Sequence, residues 1–143
     1  MTQLNNHNVG SLSAAVETPI YDRQAVTPGI VHIGVGGFHR AHQAMYVDAL
    51  MNQGEALDWG IVGVGVMPGD KRMQQALAAQ DYLYTLVVKH PNGEYQPRVI
   101  GSMVNYLFAP EDPEAVIETM ADPAIKIVSL TVTEGGYNFH PVS

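Results

Sequence analysis

Residues 28–40 read Pro-Gly-Ile-Val-His-Ile-Gly-Val-Gly-Gly-Phe-His-Arg, and this stretch decides the fold. Ile30 to Val35 is a short β-branched run behind a Pro28-Gly29 turn signal, the pattern of a buried parallel strand. Glycines at 34, 36 and 37 break the run. Phe38, Ala41, Met45 and Ala49 then recur three or four residues apart, with Ala44, Val47 and Leu50 widening the stripe. That spacing predicts one helix from Phe38 to Gln53, closed by Gly54. A strand, a glycine turn and a helix in this order suit a dinucleotide. One glycine allows the tight turn, the next lets a diphosphate approach the main chain, and the helix start offers free N–H groups. His39 stands where the third glycine of G-x-G-x-x-G would be, so the fingerprint is incomplete. A plain tight turn packing helix on strand fits the same residues.

Working outward, Trp59 to Met67, around the β-branched run Ile61–Val66, reads as a second strand, and Pro68 precedes a helical stretch from Asp70 to Ala79. Tyr82 to Lys89 reads as a third strand. Pro91-Asn92-Gly93 signals a hairpin, and Glu94 to Met103 would be the return strand, with Pro97 pointing to a sheet edge. Pro110 to Glu114 has proline and acids at a helix start, and that helix reaches about Met120. Ile125 to Val132 is a last strand, followed by a loop from Thr133 to Tyr137. Residues 1–27 lack a clear period and read as a tail and lead-in; residues 28–143 read as the domain. The alternation implies an α/β fold: a Rossmann-like parallel sheet with helices on both faces and an inserted antiparallel hairpin.

The chain has 143 residues, 46% hydrophobic and 15% charged, which suits one globular domain. It carries a net charge of −7, with six acids and one base in residues 111–143. Such a chain repels phosphate backbones and anionic membranes, so nucleic acid is not an expected partner. No apolar run reaches the length of about 18 residues that a membrane span needs. Cysteine is absent, which removes disulfides and thiolate chemistry and mildly favours the cytoplasm.

Other candidates surround the turn. Asp70 follows the second strand, where an acid could accept from the 2′-hydroxyl of NAD; Lys71 and Arg72 beside it could instead hold the 2′-phosphate of NADP. Asp70 would equally serve as a helix cap. Arg40 opposes the dipole at a helix start, which suggests a carboxylate or phosphate partner or else a solvated surface position. Gly63-Val64-Gly65 lies inside a strand and reads as packing. His39 and His42 are three apart, but no third metal ligand is evident, so no metal is expected. Glu134 lies just past the last strand, at the edge where open α/β sheets bind ligands.

Ile30–Met45 (IVHIGVGGFHRAHQAM), Gln80–Leu86, Val99–Ser102 and Ile127–Tyr137 together resemble the long-chain polyol dehydrogenases, the mannitol dehydrogenase family. The resemblance covers roughly residues 18–140. It implies a zinc-independent, NAD(P)-dependent interconversion of a sugar alcohol and a ketose, or reduction of a sugar acid such as fructuronate. It also implies a catalytic lysine, helped by asparagine and histidine, in a second, mostly helical domain. Gly34, Gly36 and Phe38 match the family's cofactor turn, and Thr133 and Glu134 match the cofactor-side wall of its cleft. The expected cofactor-binding set is therefore Ile33, Gly34, Val35, Gly36, Gly37, Phe38, His39, Arg40, Asp70 and Thr133. Lys71, Lys89 and Lys126 are the only lysines, and none has the context of the family's catalytic one. The expectation is thus a truncated cofactor domain that binds NAD, meets a polyol only if a second domain is supplied, and is inactive alone. An exposed sheet edge would then favour self-association. A non-catalytic nucleotide-binding module is the alternative.

Overall fold

The computed structural model describes residues 3–12 and 14–136, and Tyr137 of the expected loop lies outside them. The central strand β1 (Pro28–Ile33) alternates its side chains between two faces. Ile30 joins one core with Val35, Ala44, Ile61, Leu77, Tyr84, Ile100, Met103 and Tyr106. Val31 joins the other with Val62, Val64 and Val116. The helices cover both faces: α1 (Gly37–Ala41), α2 (Gln43–Asn52) and α3 (Asp70–Ala78) lie over the first core, and α4 (Pro113–Ala121) over the second.

Four parallel strands form the main sheet in the order β5-β2-β1-β6, with β2 at Gly60–Gly65, β5 at Met103–Phe108 and β6 at Ile127–Leu130. The register pairs Val31 with Val62 on one side and Val128 on the other. All four strands present their carboxyl ends at one edge, and the chain changes sides of β1 between β2 and β6. That reversal is where open α/β sheets bind ligands. β3 (Tyr84–Lys89) and β4 (Tyr95–Ile100) form a separate antiparallel hairpin, and Pro97 sits in this two-stranded sheet, where its missing N–H is tolerated.

Strand ends shift by one or two residues from the sequence reading, so that the last strand is Ile127–Leu130 rather than Ile125–Val132, and there are three further differences. The predicted Phe38–Gln53 helix is two helices, broken at His42, whose φ of −123° and ψ of −87° are not helical. The return strand does not run on to Met103. It stops at Ile100, and Met103–Phe108 becomes a strand of the parallel sheet, which the interrupting Asn105 hid in the sequence. The third strand starts at Tyr84 because Asp81 and Tyr82 take φ values of 52° and 63°.

The lead-in is tied down by buried polar contacts. Asp48, fully buried, accepts from the Tyr21 hydroxyl (2.6 Å), the Gly101 N–H (2.9 Å), Arg98 (3.2 Å) and Asn52 (3.2 Å). Burial, reinforced by Asp48, pushes the Tyr21 hydroxyl far above its ordinary range, so it remains a donor. Arg23 donates to the carbonyls of Gly101 (3.0 Å), Asp81 (2.9 Å) and Met103 (2.9 Å). Asp48→Ala strands all four donors at once, the buried Gly101 N–H among them, and is expected to cost about 3–5 kcal/mol. Urea unfolding measures it, and a loss under about 1 kcal/mol would show that water replaces the carboxylate freely.

Candidate cofactor site

The β1–α1 turn is built by its backbone. The Gly34 N–H donates to Val64 O (2.9 Å), extending the β1–β2 ladder one residue past β1. Gly34 itself takes φ of +87°, which favours glycine. Gly36 and Gly37 are different. Gly36 has φ of −91°, open to any residue, and a Cβ on either would meet nothing within 4 Å. The packing around these two exposed positions therefore does not itself require glycine. By contrast, Gly63 and Gly65 are crowded: a Cβ would lie 2.7 Å from Val35 and 2.6 Å from Asp70, respectively.

The N–H groups of Gly37, Phe38 and His39, in the first turn of α1, have no acceptor among the described residues. The break at His42 confines this turn to five residues, so the aligned dipole of the long predicted helix is not present. A full positive charge stands in its place. Half-buried Arg40 folds back so that one guanidinium nitrogen donates to Val35 O (3.2 Å) and lies 3.4 Å from Met73 Sδ. No carboxylate pairs with Arg40 among the described residues. Tyr84 donates its hydroxyl to Arg40 O (2.6 Å) and anchors the helix from the hairpin side.

The other candidates scatter around this turn. Ile33 ends β1 and Val35 is buried in the core beneath it. Phe38 is 68% exposed and stacks on His42 with centroids 4.4 Å apart. Asp70 opens α3 at the end of β2, on one side of the turn. Its Oδ2 accepts from the N–H groups of Val66 (3.0 Å) and Met67 (2.9 Å), reaching back rather than capping α3, and its Oδ1 has no hydrogen-bond partner among the described residues. Thr133 is exposed beyond β6, on the other side; its carbonyl accepts from Gly136 N (2.8 Å) in a 3-10 turn that Glu134 begins. The loop expected there is thus a short 3-10 turn. Among the described residues no group of three His, Cys, Asp or Glu could hold a metal, and no helix is long and apolar enough to cross a membrane.

The His39 side chain is buried rather than facing the turn. Its ring turns inward and stacks on His32, with centroids 3.7 Å apart and planes 9° apart. His32 meets the hydroxyls of Ser129 (2.9 Å) and Thr131 (3.1 Å), while neither ring nitrogen of His39 has a hydrogen-bond partner among the described residues. These residues, with Phe38 and Gln43, line a cavity of about 290 Å³ beside β6. The period-2 placement of Ser129 and Thr131 is the signal that could have revealed it, because β1–β6 register sets Ser129 opposite His32. What reaches the turn from His39 is its backbone N–H, not its ring.

A family model described as the mannitol dehydrogenase Rossmann domain matches residues 28–142, and the chain belongs to that family. A mannitol 2-dehydrogenase of Cereibacter sphaeroides is 57% identical over 126 residues, covering 88% of this chain and 26% of that protein. A polyol:NADP oxidoreductase of Gluconobacter oxydans is 48% identical over 139 residues, covering 96% of this chain and 28% of that protein. Among solved structures, Pseudomonas fluorescens mannitol 2-dehydrogenase in ternary complex with NAD and D-mannitol matches with a TM-score of 0.90 and 50% identity, over 94% of this chain and 27% of that one. The chain therefore spans a little over a quarter of the length of these relatives.

Burial, and next the adjacent His32, push the His39 pKa from 6.5 down to about 4. The unfolded chain therefore takes up this proton first as the pH falls. Stability from this group is complete above pH 6.5 and declines until about pH 4, by up to about 3 kcal/mol. Urea midpoints of His39→Phe should fall less steeply than wild type across that window. Parallel slopes for the two proteins would refute a neutral buried His39.

Proposed function

We propose that this chain is the cofactor-binding part of an NAD-dependent polyol dehydrogenase, one that oxidises mannitol or a related sugar alcohol to a ketose such as fructose. The observation that carries the reading is the pairing of Gly36 and Gly37, where an added Cβ would meet nothing within 4 Å, with the nearby Arg40 guanidinium, which has no carboxylate partner among the described residues. A diphosphate satisfies both. The N–H groups of Gly37, Phe38 and His39 would bind its oxygens, and Arg40 would offset one of its charges. Asp70 Oδ1 is placed to accept from a ribose hydroxyl at the end of β2. Ile33, Gly34 and Val35 shape the floor of the turn, and Thr133 marks the β6 side. Bound NAD would supply the hydride acceptor. The absence of cysteine fits a cytoplasmic setting.

Oxidation of an alcohol also requires a group that takes the hydroxyl proton. The three lysines of this chain lie elsewhere. Lys71 is paired with Glu111, Lys89 lies 5.5 Å from the Tyr95 ring centroid in the hairpin, and Lys126 is bound to Asp58 at the amino end of β6. The 143-residue chain should accordingly bind NAD but leave it unreduced with mannitol. Gly36→Glu sets a carboxylate against the diphosphate in space the fold leaves open, and should weaken NAD more than about 30-fold, equivalent to about 2 kcal/mol. Titration calorimetry and absorbance at the reduced-nicotinamide band read both effects. Unchanged affinity in Gly36→Glu would reduce the turn to a packing device, and rapid NAD reduction by the chain alone would overturn the division of labour.

A further inference from the structure

We propose that Glu111 is a coenzyme-selectivity residue, acting by positioning Lys71. It holds the ammonium next to Asp70 away from a coenzyme 2′-phosphate, and so tilts the site toward a coenzyme with a free 2′-hydroxyl. This rests on the reading that the end of β2 receives the adenosine ribose. Two cations follow Asp70 in sequence, Lys71 and Arg72, and a 2′-phosphate at this place would draw on both. The structure separates them. Lys71 Nζ donates to Glu111 Oε2 at 2.5 Å and to Gln74 Oε1 at 2.9 Å. It also lies 5.3 Å from the Phe108 ring centroid, so the side chain leans toward the end of β5 rather than over the β2–α3 turn. Arg72 is exposed and has no ion-pair partner among the described residues.

Glu111 arrives from a distant part of the chain, on the loop that joins β5 to α4. β5 is the neighbour of β2 in the main sheet, so the bridge closes across the carboxyl edge on the side away from β6. The same loop brings Asp112, which caps α4 by accepting from Ala115 N, and Glu114 in the first turn of that helix. A dianionic phosphate here would lie near the Asp70 and Glu111 carboxylates with Arg72 in its favour; a hydroxyl meets no such repulsion and can donate to Asp70 Oδ1.

The test compares wild type, Glu111→Gln and the double variant Glu111→Gln, Lys71→Gln by calorimetric titration of the 143-residue chain with NAD and with NADP. Both positions are solvent-accessible, and Gln keeps the side-chain length, so the variants should fold. Glu111→Gln should raise NADP affinity relative to NAD by roughly two- to fivefold, the range that exposed ion pairs span. The double variant should return the ratio to the wild-type value or below it. Because Arg72 is unchanged throughout, the ratio isolates Lys71. An unchanged ratio in Glu111→Gln while NAD still binds overturns this inference alone, as does a gain that persists without Lys71. Failure of wild type to bind either nucleotide overturns the cofactor reading, and this inference with it.

Discussion

The bond from Gly34 N–H to Val64 O governs the rest of the site. It carries the β1–β2 ladder one residue past the strand and then obliges the chain to leave the sheet at a left-handed residue. The direction of that exit puts Gly36 and Gly37 at the surface, points the first N–H groups of α1 outward and lets Arg40 fold back over Val35. β2 also passes the constraint on to α3, because Gly65 admits the Asp70 Cβ and Asp70 then ties up the N–H groups of Val66 and Met67. Two turns at one sheet edge are thus set by hydrogen bonds to the same central pair of strands.

Charge is distributed unevenly over the molecule. Arg40 stands without a counter-ion beside the glycines, whereas Lys71, Lys126 and Arg98 are each engaged by a carboxylate. Three of the seven cations are ion-paired among the described residues, and the half-buried Arg40 guanidinium is left to the carbonyl of Val35. The exposed apolar residues Ile127, Val128 and Leu130 lie on β6, at the opposite margin of the same sheet.

Much of the architecture was legible because local and global signals agree. The β-branched runs at Ile30–Val35 and Ile61–Val66, Asn92-Gly93 in the hairpin, and Asp112 with Pro113 at the start of α4 each have a single good local solution. β5 was not legible. Its Met-Val-Asn-Tyr-Leu-Phe sequence has weak strand character, and its place beside β2 follows from nonlocal pairing and from the lead-in that packs over Gly101. The break at His42 was equally hidden, since the apolar stripe runs through it; its ring nitrogen bonded to Phe38 O belongs to a local geometry that periodicity cannot register.

By itself the sequence determined most of the elements (not β5 or the break between α1 and α2), the glycine turn at the end of β1 and the acid after β2, because backbone conformation and side-chain period are local properties. Only the tertiary structure decided which side chains serve the turn. It sent the His39 ring inward onto His32, left Arg40 with a backbone carbonyl but no carboxylate partner among the described residues, and turned Asp70 back onto its own loop. It also joined Lys71 to Glu111 across 40 residues. Those outcomes depend on strand order and burial, which place residues distant in sequence within a few ångströms and so lie outside what spacing along the chain can express.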